Sequence, residues 1–168
     1  MVVDARLYGF QDDASEAVRY LSAHLDSLRG ERAMPLRSKL LPEELPPFLL
    51  PGLFLVEVHG DTGPGCTGPW QFRYRLMGTH VVAASGIDWT GRDVGPDLLE
   101  DRWQDYRAFY EEPLRSRQPT CRQHDFRNHA EGRSYPSRRY LFPLCDEAQR
   151  ITLLVGFFVI ESGAWRFG

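Results

Sequence analysis

Phe72-Arg73-Tyr74-Arg75-Leu76-Met77-Gly78-Thr79-His80, running on through Gly86-Ile87-Asp88-Trp89-Thr90-Gly91-Arg92, decides how the rest of the chain is read. Phe72, Tyr74 and Leu76 fall on one side of an extended segment and Arg73 and Arg75 on the other, as a period of two requires. Gly78 stops the alternation, Thr79 is placed to cap a short helix from His80 to Ser85, and Gly86 ends that helix. The order of strand, clipped helix and glycine-bounded turn fits a small α+β domain that wraps a sheet around a pocket.

Working outward, Trp70 to Met77 is the second strand and Leu53 to His59 the first, joined by the Gly- and Pro-rich loop Asp61 to Pro69. Five prolines between Met34 and Pro51 forbid a long element there, and Pro42 suits the first turn of a short helix with Glu43 and Glu44 near its positive end. Before them, Val18, Leu21, Leu25 and Leu28 recur at helical spacing over Asp13 to Leu28, with Asp12, Asp13 or Ser15 as cap and Gly30 as stop. The narrow apolar stripe leaves two placements open, on the outside of its own domain or against a second subunit. Downstream, Asp97 is placed to cap a longer helix that shows Leu99, Trp103, Tyr106, Tyr110 and Leu114 on one face and is kinked or restarted at Pro113. Three strands follow, Thr120 to Asn128, Ser134 to Leu144 and Ile151 to Glu161, separated by Glu131-Gly132 and Asp146-Glu147 turns. The tail Ser162 to Gly168 is too short for an output domain, so output is expected to lie on another protein.

At 168 residues with 42% hydrophobic content the chain is sized for one packed domain. The net charge of −3, with both signs interspersed, excludes a nucleic-acid footprint. Nineteen of the 20 basic residues are arginine, a bias expected of GC-rich coding rather than of a phosphate-binding face. Met1 to Arg6 lacks a signal-peptide pattern, and the apolar run Ile151 to Ile160 falls short of the roughly 20 residues that span a bilayer. A cytoplasmic protein with no membrane contact is expected. Cys66, Cys121 and Cys145, odd in number and unevenly spaced, read as reduced thiols.

Two strands, a cluster of helices and three further strands, joined largely by hairpins, give an α+β fold. It is a five-stranded antiparallel sheet with helices packed on one face and an extra N-terminal helix. The chain resembles the PAS superfamily, and within it a bacterial single-domain subfamily once known only as a domain of unknown function. The likeness rests on Pro35-Leu36-Arg37-Ser38, on the helix-turn segment Pro42 to Pro51, on Phe72 to Thr79, and on the Gly86 to Arg92 turn. It covers roughly Arg32 to Glu161. This divides the chain into an N-terminal helical extension (1–31), a PAS-like sensory domain (32–161) and a C-terminal tail (162–168). The resemblance implies ligand or partner sensing in signal transduction, often as a homodimer, and carries over no catalytic residue. Two PAS chemistries lack their motifs: no cysteine lies between Thr79 and Thr120 for a flavin-thiol photoreceptor, and no histidine lies between Leu98 and Gln118 for haem. The cofactor, if any, is left unknown.

The candidate binding residues are Trp103, Tyr106 and Tyr110 from the long helix with Tyr74 and Phe142 from strands, an aromatic surface with a few placed hydroxyls. The same spacing also describes ordinary core. Arg75 and the pair Arg138-Arg139 are candidates for a bidentate hold on a carboxylate or phosphate, or are solvated strand faces. Cys121, His124 and His129 lack the paired spacing of a structural zinc site, so no metal is expected. The expected partner is an unidentified small molecule or signalling protein. The alternatives are a small cavity-bearing enzyme using His80, Asp88 and His124, and a structural dimerisation domain.

Overall fold

The computed structural model describes residues 8–10 and 15–161; the expected caps Asp12 and Asp13, the stretch Met1 to Arg6 and the tail lie outside the described residues. A five-stranded sheet runs in the order β2-β1-β5-β4-β3, with every adjacent pair antiparallel. The strands are β1 (Leu53–His59), β2 (Gln71–Met77), β3 (Thr120–Arg127), β4 (Ser134–Cys145) and β5 (Ile151–Ile160). Between β2 and β3 the chain crosses one face of the sheet as α2 (Thr79–Ser85), α3 (Pro96–Leu99) and α4 (Trp103–Ser116), while α1 (Glu16–Arg29) precedes β1. The expected α+β sheet and N-terminal helix are thus present.

The alternation read in β2 holds only in part. Leu55 pairs with Leu76 but Val56 pairs with Tyr74, so Arg75 is an extra, bulged residue. The bulge resets the parity: Met77, opposite Phe54, joins the face of Phe72 and Tyr74, and Leu76 turns away to stand 39% exposed. The outer edge of β2 is then covered by the Gly86 to Arg92 turn. Tyr74 N donates to Arg92 O at 3.0 Å, Gly91 N to Tyr74 O at 2.6 Å, and Val94 N to Phe72 O at 2.8 Å. Asp88 shapes this turn by accepting from Thr90 N and Thr90 Oγ1 at 3.0 and 2.6 Å, which holds its carboxyl below the usual range.

Two helix boundaries differ from the sequence reading. Gly78, not Thr79, occupies the cap of α2. The long helix does not run from Asp97: Gly95 caps α3 with Pro96 in its first turn, the chain breaks at Glu100 (φ 50°), and a 3-10 turn Glu100–Arg102 leads into α4. Pro113 is carried inside α4, which ends at Arg117 in the left-handed region.

Helices cover both faces of the sheet. α1, capped by the Ser15 hydroxyl, buries Val18, Leu21 and Leu25 completely within its own chain. Ahead of it, Phe10 packs edge-on against Tyr140 and Phe142 at 5.0 and 5.8 Å between ring centroids. Of the two placements the stripe allowed, α1 takes the one on its own domain. On the crossover face Phe54 lies across β5 where Gly156 stands, and a Cβ on Gly156 would fall 2.1 Å from that ring. Leu36 bridges to Cys145 and Arg37 reaches Glu57 at 3.1 Å, so the Pro35 to Ser38 segment ties the proline-rich stretch to the sheet.

Candidate functional site

Beneath α4 three tyrosines and one arginine meet. Tyr110 and Tyr74 share a 2.6 Å hydrogen bond between hydroxyls. Arg139, from the middle of β4, donates from Nη1 to Tyr110 Oη at 3.4 Å and from Nη2 to Tyr106 Oη at 3.2 Å. Tyr106 and Tyr110 are one helical turn apart on α4, which brings both hydroxyls over the strand. Arg139 is only 3% exposed, and its Nε has no hydrogen-bond partner. Its guanidinium carbon stands 4.8 Å from the Tyr106 ring centre, 5.3 Å from Phe126, 5.6 Å from Phe158 and 5.7 Å from Phe54, an aromatic cage for the cation. Burial works against its charge, and the Tyr106, Tyr110 and Tyr74 hydroxyls around it act in the opposite direction. Burial likewise pushes the Tyr74 hydroxyl up to about 12 and Tyr110 well above its ordinary value, so both stay protonated.

The network fills its own space. The void among Phe54, Tyr74, Trp89, Tyr110, Phe126 and Arg139 is about 10 Å³, at the lower limit for a single water. The room lies next door, where α4 stands off the edge strand β3 and leaves a cleft of about 360 Å³. Its walls are Arg102, Asp105, Tyr106 and Phe109 from the α4 side and Arg122, Gln123, His124 and Asp125 from β3. The His124 ring packs edge-on against Tyr106 at 5.7 Å, and its Nε2 is buried without a partner. Burial, then the charges of Arg139, Arg102 and Arg122, lower its pKa to about 3, so the imidazole is neutral at pH 7.

Four of the seven expected binding residues, Tyr74, Tyr106, Tyr110 and Arg139, come together here. The other three do not. Phe142 lies on the opposite face under the N-terminal segment, because it stands an odd number of residues from Arg139 on one strand. Arg75, sent outward by the bulge, bonds Glu57 at 2.7 Å, and with Arg37 it holds that carboxyl below its usual range. Trp103 is half-buried and lines a different surface hollow with Trp70, Phe72 and Asp93. Arg138, next to Arg139, points outward to Glu161 at 2.6 Å. The cleft lined by His124 contains neither His80 nor Asp88, and Asp88 is an exposed turn residue. His129 meets Arg102 at 3.1 Å and the Trp89 ring, and among the described residues no three His, Cys, Asp or Glu side chains are grouped to hold a metal. The sequence reading passed over Phe54, Phe126 and Phe158 of the cage and Arg102, Phe109 and Arg122 of the cleft. Phe158 stands opposite Arg139 and Phe126 shares a face with Arg122, which also stands opposite Arg139, so the cross-strand register brings the rings to the cation and no pattern within one strand announces them.

No family model matches the chain, and no curated protein does. Its neighbours among solved structures are light-oxygen-voltage and PAS domains. The light-oxygen-voltage protein of Rhodobacter sphaeroides is 14% identical with a TM-score of 0.47, over 67% of this chain and 60% of that one. The PAS domain of Bordetella pertussis BvgS is 15% identical with a TM-score of 0.40, over 70% and 83%. An RNA-binding light-oxygen-voltage receptor is 16% identical with a TM-score of 0.47, over 76% of this chain and 36% of that receptor. At these values nothing about ligand or partner passes from those proteins to this chain.

Proposed function

We propose that the chain is a PAS-like sensory or regulatory module rather than an enzyme, and that it binds a small molecule in the cleft between α4 and β3. The cleft itself carries the reading. Its volume lies within the ~300–1,000 Å³ typical of ligand sites, it mixes aromatic walls with placed polar groups, and it adjoins a buried polar network. β4 offers a route for the signal: Arg139 faces the ligand side, while its neighbours Tyr140 and Phe142 carry Phe10 and the N-terminal segment on the reverse face. A ligand bound better by one arrangement of that segment shifts its population. In this proposal residues 32–161 form the sensor, 1–31 its transmitting extension and 162–168 a tail. It works in the cytoplasm as a homodimer, with no nucleic acid or membrane among its partners. No helix among the described residues is long and apolar enough to cross a membrane. Flavin-thiol and haem chemistry stay disfavoured, since no cysteine lies between Thr79 and Thr120 and no histidine between Leu98 and Gln118. Mass spectrometry of the purified protein and thermal shifts across a metabolite panel test the reading. A co-purifying or stabilising small molecule is expected; neither appearing overturns ligand sensing.

A second form of the reading, protein docking or self-association, is favoured by one surface. Tyr20 and Phe48 are 44% and 55% exposed with ring centroids 5.5 Å apart, and Leu41 and Leu50 are exposed as well. If this is the dimer contact, Phe48→Glu converts a dimer to a monomer by light scattering; a dimer unmoved by the change sinks that assignment.

A further inference from the structure

Among the described residues Arg139 is a buried cation without a counter-ion. Among the described residues no carboxylate pairs with it, and two tyrosine hydroxyls at 3.2 and 3.4 Å are its hydrogen-bond acceptors. Both distances exceed the ~2.7–2.9 Å usual when a charged donor meets its preferred acceptor. A guanidinium offers five donors in a rigid fork, and here Nε has no acceptor at all. Removing such a charge from water is costly unless it is paired, and the aromatic cage offsets only part of the cost. The group that fits the fork is a planar carboxylate, bound by two parallel N–H···O contacts.

The open cleft leads toward this group. Tyr106 is the partition: its ring is part of the cleft wall, and its hydroxyl is the acceptor of Arg139 Nη2. The mouth itself does not select for charge, since its walls carry two arginines, Arg102 and Arg122, and two aspartates, Asp105 and Asp125, and His124 is neutral. The uncompensated charge lies behind the partition. We infer that the cleft takes a small organic acid whose carboxylate becomes the counter-ion of Arg139 as the Tyr106 side chain swings aside, its apolar body resting on Phe109 and the Tyr106 ring.

The inference rests on the receptor reading above and narrows it to one ligand class. The test uses the full chain with phenylacetate, hexanoate and succinate, each beside its amide and a matching amine, by calorimetric titration and thermal shift. At least one acid is expected to bind about tenfold or more tighter than its amide, with the preference lost in Arg139→Gln and kept in Tyr106→Phe. In 15N-arginine protein the Arg139 Nε–H resonance, assigned by its absence in Arg139→Lys, is expected to move on adding that acid and not on adding its amide. This signal and the wild-type comparison decide the matter even if Arg139→Gln does not fold. An acid and its amide binding equally, or an amine binding best, overturns the inference and leaves the receptor reading standing. No binding by any acid, amide or amine overturns the inference, and the receptor reading is then decided by the metabolite panel alone.

Discussion

Phe142 and Arg139 stand three residues apart on β4, both buried, on opposite faces of the sheet. Around Phe142 the packing is almost wholly apolar, and the polar groups nearest it are paired: Tyr8 donates its hydroxyl to Pro143 O at 2.6 Å, and Ser22 Oγ accepts from Phe10 N at 3.0 Å, while His24 Nε2 farther along α1 is buried without a partner. Around Arg139 rings crowd as well, yet a cation, three phenols and an imidazole share the space, and Arg139 Nε and His124 Nε2 go unpaired. Equal burial therefore has unequal meaning. One face supplies cohesion. The other holds groups that an apolar core of the same shape would do without, which is the mark of a surface arranged for something besides stability.

Truncation separates the faces most sharply. Phe142→Ala is expected to lower stability by about 3–5 kcal/mol in urea unfolding, because it leaves a cavity under the N-terminal segment. Arg139→Met, at the same depth, is expected to be neutral or stabilising, since it removes an unpaired buried charge while keeping the stem. A loss with Arg139→Met as large as with Phe142→Ala would break the distinction. A smaller effect follows from pH. The folded pKa of His124 lies near 3, below its unfolded value of about 6.5, so the unfolded chain binds the proton first as pH falls. The contribution of neutral His124 is complete above pH 6.5 and is lost toward pH 3, by up to about 1.4 kcal/mol per pH unit. Urea midpoints at pH 7, 5.5 and 4.5 should therefore fall less steeply in His124→Gln than in the wild type; parallel slopes would place the imidazole outside the network. The least effect is expected at Leu76, which the bulge turns to solvent: Leu76→Thr should shift stability by within about 0.5 kcal/mol. A loss of core size there would mean the unbulged register.

The strands were legible because glycines and period-two alternation marked them, and β1 has the bounds read from Leu53 to His59. The bulge at Arg75 was not, since an apolar Leu76 continues the pattern and nothing local announces an extra residue. The break at Glu100 was hidden for a similar reason: a glutamate at positive φ is held by its surroundings rather than by its own preference. Tyr106 and Tyr110 were found through helical spacing, Tyr74 through strand alternation and Arg139 through its charge. Placing Phe142 beside Arg139 was an avoidable error, because strand parity alone separates them. The cleft depends on how far α4 stands from β3, a tertiary distance that no local pattern encodes.

The sheet order has a consequence for how the chain comes to be folded. β5 pairs with β1 on one side, Leu53 opposite Phe157, and with β4 on the other. During synthesis the β1–β2 hairpin and the β3–β4 hairpin emerge first, each with an open inner edge, and nothing joins them until the latest-made strand slides between them. Closure of that long loop is expected to limit the folding rate. Until it happens, the unpaired edge of β1, with Phe54 and Leu55 uncovered, is the stretch on which a ribosome-bound chain would rely on chaperones.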